Sequence, residues 1–234
     1  MILKAFHNDV TVQQKYISRV EEHYKLDEII KGQYWENGKG CAVGCTVHSD
    51  SHNCYEIELG IPTWVARLED TLFEGMPNEK AKEFPLKLLK SIPLGFENWQ
   101  HIYHQLCVFN LTKICKNTDN EIVVKAISDI IALHKTESTD ESAWSAARSA
   151  WSERSAARSV WSVAWLAAES AALLTAMSAG SVTRSVAWLA ESAATSAELA
   201  ATSAVRSAAT SAARSAAYYE ISEKLIRLLE NEKH

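Results

Sequence analysis

The sequence predicts an all-α protein, with an N-terminal multi-helix domain followed by a long Ala/Ser-rich helical hairpin or bundle. Three observations predict it. Apolar residues recur at helical spacing between capping residues, prolines and glycines in the first part. The composition changes abruptly near residue 140, where all four prolines and seven of the eight glycines have already occurred. Beyond that point serines follow an 11-residue helical period. The expected division is 1–138, a helical domain carrying a Gly/Cys/His loop at 32–60, and 139–234, Ala/Ser repeat helices packing on it or on another subunit.

In the first part, Asn8 or Asp9 caps a helix running to about Lys31, with Val12, Tyr16, Ile17, Val20, Tyr24 and Ile30 near one face and Gly32 as the stop. The turn-rich stretch from Gly32 to Gly60 follows. Pro62 then opens a helix over Thr63 to Phe73, whose Trp64, Val65, Leu68 and Leu72 form an apolar face ended by Gly75 and Pro77. Asn78 caps the next helix, through Leu89, which Pro85 is expected to bend or split. Phe96 to Cys115 and Asn120 to His134 read as two more helices, divided by the turn-like residues 116–119.

The second part lacks lysine from 141 to 217 and carries only six Arg and five Glu there. Serines at 181 and 185, 192 and 196, 203 and 207 hold one helical stripe. Alanine favours helix throughout, so two long helices are expected to fold back at Gly180. Such a seam buries little area per residue, at roughly 25 cal/mol per Å². Trp144, Trp151, Trp161, Trp165 and Trp188 must supply much of the anchoring. Small side chains also permit a homo-oligomer through these helices, and the last segment, Tyr218 to Leu229, offers Ile221, Leu225, Ile226 and Leu229 to the same core or another subunit.

Composition narrows the function classes. Hydrophobic residues make up 47% and charged residues 23% of the 234, which is ordinary for a folded chain. A net charge of −5 argues against a general nucleic-acid binder. The opening MILKAFHNDV lacks the form of a secretory signal, and Glu169 interrupts the longest apolar run, so a cytoplasmic protein without a membrane span is expected. The five cysteines, at 41, 45, 54, 107 and 115, are expected as reduced thiols.

The densest chemistry lies between Cys41 and His52, where two thiols and two imidazoles share a glycine-bearing turn. Cys41, Cys45, His48 and His52 are four suitable zinc ligands. On one continuous helix, however, they would spread over about 16 Å. A second reading is a Cys/His-dependent enzyme centred on 41–56, with Cys41 or Cys45 as nucleophile, His48 or His52 as base, and Glu56 or Asp50 orienting it. A third makes the turn from Gly38 to Gly44 an anion site: backbone N–H groups at Gly40 and Gly44, with Lys39, His48 and His52, contact the ligand, Glu56 lies beside them, and Trp35 and Tyr55 form apolar walls.

Lys31-Gly32-Gln33-Tyr34-Trp35, the run from Gly38 to His48, Tyr55-Glu56, Glu58-Leu59-Gly60-Ile61-Pro62 and Ala66-Arg67-Leu68-Glu69-Asp70 carry a further signal. Across roughly residues 5–135 the chain resembles a family of uncharacterised proteins encoded by bacteria and their phages. That resemblance brings no catalytic residue. It implies a phage or mobile-element accessory protein that binds a host protein or sequesters a small signalling molecule. The expected function is therefore non-enzymatic binding of a small anionic, nucleotide-like ligand or of a host protein. The alternatives are the zinc or Cys/His enzyme and an oligomeric helical scaffold.

Overall fold

The computed structural model describes residues 2–116, 121–138, 145 and 207–233. The turn at Gly180, the tryptophans from 144 to 188 and the serine stripe before residue 207 lie outside the described residues, so the expected hairpin and its oligomer seam do too. The protein is all-α: among the described residues, two strands of two residues each are the only sheet. None of the described helices is long and apolar enough to cross a membrane.

The chain divides into two compact units. Described residues up to Trp99, together with the C-terminal helix, make up the first. It begins with a turn, Ala5–Asn8, in which Phe6, His7 and Asn8 all have positive φ, near 55°. Buried Ala5 ties this turn down: its N–H donates to the Phe96 carbonyl, and its own carbonyl accepts from Gly95 N–H.

Helix α1 (Val10–Lys25) starts where Asp9 accepts a hydrogen bond from Thr11 N–H at 2.7 Å. It ends six residues before the sequence suggests. Asp27 turns left-handed at φ 56°, after which Gly40 N–H donates to Glu28 and Ile30 N–H donates to Gly40. Pairing with a distant segment outweighs helix propensity in a run that includes β-branched Ile29 and Ile30. The hairpin of β1 (Trp35–Glu36) and β2 (Lys39–Gly40) turns at Asn37-Gly38, both with positive φ, as a tight two-residue connection requires.

Where the sequence reads as one turn-rich stretch, the chain forms two short helices, α2 (Ala42–Val47) and α3 (Cys54–Leu59). Every residue of α2 is buried. It lies against α1, β2, α3, α4 and α5, which makes it the central rod of this unit. A Cβ on Gly40 or Gly44 would stand 2.0 or 1.5 Å from the Tyr34 carbonyl oxygen, so only glycine lets the hairpin cross α2 this closely.

Helices α4 (Thr63–Gly75) and α5 (Asn78–Ser91) follow the sequence reading closely. Helix α4 buries Trp64, Val65, Leu68, Leu72 and Phe73 on one side. Each such side chain stabilises the fold by about 1.5–3 kcal/mol. Pro85 is buried inside α5 and does not split it. Pro77 rather than Asn78 precedes its first turn, with the Pro77 carbonyl accepting from Lys80 and Ala81 N–H.

The last helix, α8 (Ser207–Asn231), buries Tyr218, Ile221, Ser222, Leu225 and Leu229 along one stripe and packs on α4 and α5. The Tyr218 ring lies where a side chain on Gly75 would stand. This segment is thus part of the chain's own core, which leaves Ile226 half-buried.

In the second unit, α6 (Trp99–Lys116) and α7 (Glu121–Lys135) meet through Leu111, Ile114 and Ile127, with Cys115, Ile130 and Ile131 packed beside them. Gln100 Nε2 donates to His104 Nε2, and the Nδ1 atoms of His104 and His134 lie 2.8 Å apart. Burial, with His104 adding to it, pushes His134 down to about 4.

Two expectations follow. Gly44→Ala should destabilise the protein by about 3 kcal/mol, because the displaced atom is backbone and cannot rotate away; urea unfolding midpoints measure this, and an unchanged midpoint would refute the close crossing. For His134, the unfolded imidazole titrates near its ordinary 6.5 and the folded one near 4. Stability is therefore full above the unfolded value and declines as pH falls through that window. Amide exchange in α6 and α7, corrected for its intrinsic rate, should accelerate roughly tenfold or more between pH 7 and 4.5. Unchanged protection would count against a neutral buried pair.

Candidate functional site

Tyr34 and Trp35 cross α2 as consecutive residues and take different neighbours. The Trp35 ring stacks on His48 with centroids 4.2 Å apart and planes 9° from parallel. Tyr34 meets His52 edge to face at 5.8 Å. Both contacts are made to residues just past the C-terminal end of buried α2, and the polar groups nearby form a surface group around His48 and an inner group around Tyr55.

His48 is the surface group's centre. It occupies the C-cap of α2 in the left-handed conformation, φ 54°, and its N–H donates to the Gly44 carbonyl. An αL non-glycine residue there costs about 1 kcal/mol, so its position is set by packing on Trp35 rather than by backbone preference. His48 Nε2 lies 2.8 Å from His23 Nε2, and His23 Nδ1 lies 2.6 Å from Glu28 Oε2. With the carboxylate accepting, His23 carries its proton on Nδ1 and presents the Nε2 lone pair to His48. His23 is buried while Glu28 is half-buried and His48 exposed, so a buried imidazole links two groups that solvent reaches. Burial holds His48 below its ordinary value, and Arg19 and His23 push it the same way against Glu58. Arg19 is fixed close by, donating from Nη1 to the Thr46 carbonyl at the end of α2 and lying over the Tyr16 ring.

The inner group is a buried polar network. Tyr55, fully buried, donates to Glu69 Oε2, while Glu69 Oε1 has no hydrogen-bond partner among the described residues. Burial pushes the Glu69 carboxyl up to about 8, with the Tyr55 hydroxyl opposing and Asp70 adding to the rise. His52 Nε2 stands 3.5 Å from Asp70 Oδ2, close enough for an ion pair but not hydrogen-bonded.

The chain matches no known protein family, curated protein or solved structure. Its chemistry therefore has to be read from the residues themselves.

Three expectations need correction. The four zinc candidates do not converge. Cys45 donates to the Gly40 and Glu28 carbonyls, Cys41 Sγ accepts from Gly44 N–H, His48 faces His23 and His52 faces Asp70. Among the described residues, no group of three or more His, Cys, Asp or Glu is arranged to hold a metal ion.

The cysteines are also poorly suited to nucleophilic chemistry. Cys41 is 1% and Cys45 0% exposed, and burial raises both thiols, Cys45 to about 12. A nucleophile needs the thiolate. Glu56, a proposed orienter of the base, instead accepts from Thr63 N–H at the start of α4.

The anion turn fails for a similar reason. The N–H groups of Gly40, Cys41, Gly44 and Cys45 all bond within the fold, to Glu28 O, Gln33 O, Cys41 Sγ and Cys41 O. Tyr55 is interior rather than a wall. Lys39 is exposed on β2, in register with Glu36. Of the expected contacts, Trp35 and His48 are brought together, and His52 sits beside Tyr34.

The residues missed by sequence reasoning are Arg19, His23, Glu28, Glu69 and Asp70. Only the buried carboxylate left a trace: Glu69 follows Leu68 on the α4 face that carries Val65 and Leu72, where an acid is out of place.

Glu69 makes stability depend on pH. Its folded value is raised, so its contribution is fullest below the ordinary 4.5 and is lost as pH rises toward about 8. Glu69→Gln should therefore leave stability nearly unchanged at pH 4 and raise it by on the order of 3 kcal/mol at pH 8. Denaturant melts at both pH values measure this. An equal effect at both would mean the carboxyl is not the titrating group.

Proposed function

We propose that the protein is a non-enzymatic binding protein that recognises a host protein through the face of the β1–β2 hairpin. The observation that carries this reading is Tyr34. It is 47% exposed where the chain enters a hairpin packed closely on α2, next to the stacked Trp35 and His48. Exposed aromatics whose backbone is already ordered give up little conformational freedom on binding, which is why Tyr and Trp so often anchor interfaces. Tyr24 and Leu26, 40% and 59% exposed, are further exposed apolar residues at the end of α1.

Two observations favour a protein partner over a small anion. The N–H groups of Gly40, Cys41 and Gly44 are already bonded, and His48 covers one face of Trp35, which would otherwise stack on a base. Buried, neutral thiols count against the Cys/His enzyme.

The test is capture of proteins from host extract by the wild-type chain and by Tyr34→Ala and His48→Ala, followed by titration of each captured partner in purified form. Tyr34→Ala should weaken a genuine partner by about 2 kcal/mol, close to thirtyfold. Equal affinity for all three chains would reject the hairpin face. A phosphorylated or carboxylated small molecule released from the purified protein on heating, and lost in His48→Ala, would replace the protein partner with a small anion.

A further inference from the structure

We infer that His23 and His48 form a binding site for an imidazole-preferring divalent transition-metal ion, of the Cu(II), Ni(II) or Zn(II) class, with Glu28 as the outer partner that orients His23. This does not depend on the protein-partner reading. It also differs from the four-ligand site suggested by the Cys41 to His52 spacing, of which it keeps only His48.

The geometry is that of a histidine ligand with its supporting carboxylate. Metal-bound imidazoles commonly donate their second ring N–H to a carboxylate, which fixes the tautomer and makes the other nitrogen more basic. Glu28 does this for His23 at 2.6 Å, and the freed Nε2 points at the Nε2 of His48. Neither ring is positioned by the other alone. His48 is set by the left-handed cap of α2 and by stacking on Trp35; Trp35 also packs on His23, with centroids 5.3 Å apart. Two nitrogens are thus brought face to face by separate parts of the fold.

The adjustment required is a slight separation of the two nitrogens together with a tilt of the rings, which point at each other in the hydrogen bond. Two metal–nitrogen bonds of about 2.05 Å at a tetrahedral angle place their nitrogens roughly 3.3 Å apart, against 2.8 Å in the hydrogen-bonded pair. His48 is the exposed member, so its ring can supply the half-ångström. On coordination, the proton shared between the two Nε2 atoms moves to His48 Nδ1. Both rings stay neutral, both lone pairs go to the metal, and no other reactant is needed. The carboxylates of Glu28 and Glu58 beside the pair offset the charge of Arg19. With two protein ligands and water filling the remaining positions, the site would be exchangeable, with Cu(II) bound most tightly.

The test uses the full untagged chain, stripped of metal with a chelator. Titration with Ni(II), Cu(II) and Zn(II) followed by calorimetry should give one site of micromolar dissociation constant, tightest for Cu(II). His48→Gln should weaken it at least tenfold, and Glu28→Gln by about tenfold. His134→Gln should leave it unchanged. In the wild-type chain, sub-stoichiometric Ni(II) should broaden the ring signals of His23 and His48 in NMR before those of His101, His104 and His134, a readout that does not require any variant to fold. No binding, equal affinity in His48→Gln, or first broadening at His104 and His134 would each overturn the assignment.

Discussion

Much of the first unit depends on one contact: the backbone of Tyr34 and Trp35 pressed against Gly40 of β2 and Gly44 of α2, where any side chain would collide with the Tyr34 carbonyl. Helix α2 is six residues long and wholly buried, too short to persist alone. Its neighbours supply what it lacks. Arg19 satisfies the Thr46 carbonyl, Thr46 Oγ1 bonds the Ala42 carbonyl, and Cys41 Sγ takes up Gly44 N–H. Once α2 is placed, the hairpin above it has one register, and Tyr34 and Trp35 must take up different neighbours.

That placement determines the chemistry on either side. Inward, the chain encloses a carboxyl, a phenol and two thiols where desolvation dominates, so these groups stay in their neutral forms. Outward, the helix ends at a histidine that packing holds in an unfavourable backbone conformation. The same residue cluster that looks uniform along the sequence therefore splits into a proton-retaining interior and a surface imidazole joined to Glu28 through His23. Cysteines that would be reactive at the surface are here small core residues, the Cys45 thiol donating to carbonyls and the Cys41 sulfur accepting from an N–H.

The sequence was most legible where local rules and tertiary packing agree. Asp9 caps α1, and Trp64, Val65, Leu68 and Leu72 mark the buried side of α4. Tyr218 to Leu229 carries the stripe that closes the core. It was least legible between Lys25 and Gly60. There the extent of α1 is decided by pairing of Glu28 and Ile30 with Gly40, and the glycines serve a backbone crossing rather than an anion. His23 pairs with Glu28 across a helix end and a left-handed turn, a relation that no helical or strand period encodes. Pro85 shows the converse, a strong local breaker overridden by burial.

By itself, then, the sequence determined an all-α protein, the positions of most helices, and the run from Cys41 to His52 as the place of densest chemistry, since periodicity, capping and composition are local properties. Tertiary structure decided which of those groups meet. Cys41, Cys45, His48 and His52 are neighbours along the chain but have separate partners, whereas His23 and His48 are 25 residues apart and share a hydrogen bond. The reason is physical: a hydrogen bond or a buried charge depends on distance and dielectric in three dimensions, and both are set only when α1, the hairpin and α2 have packed.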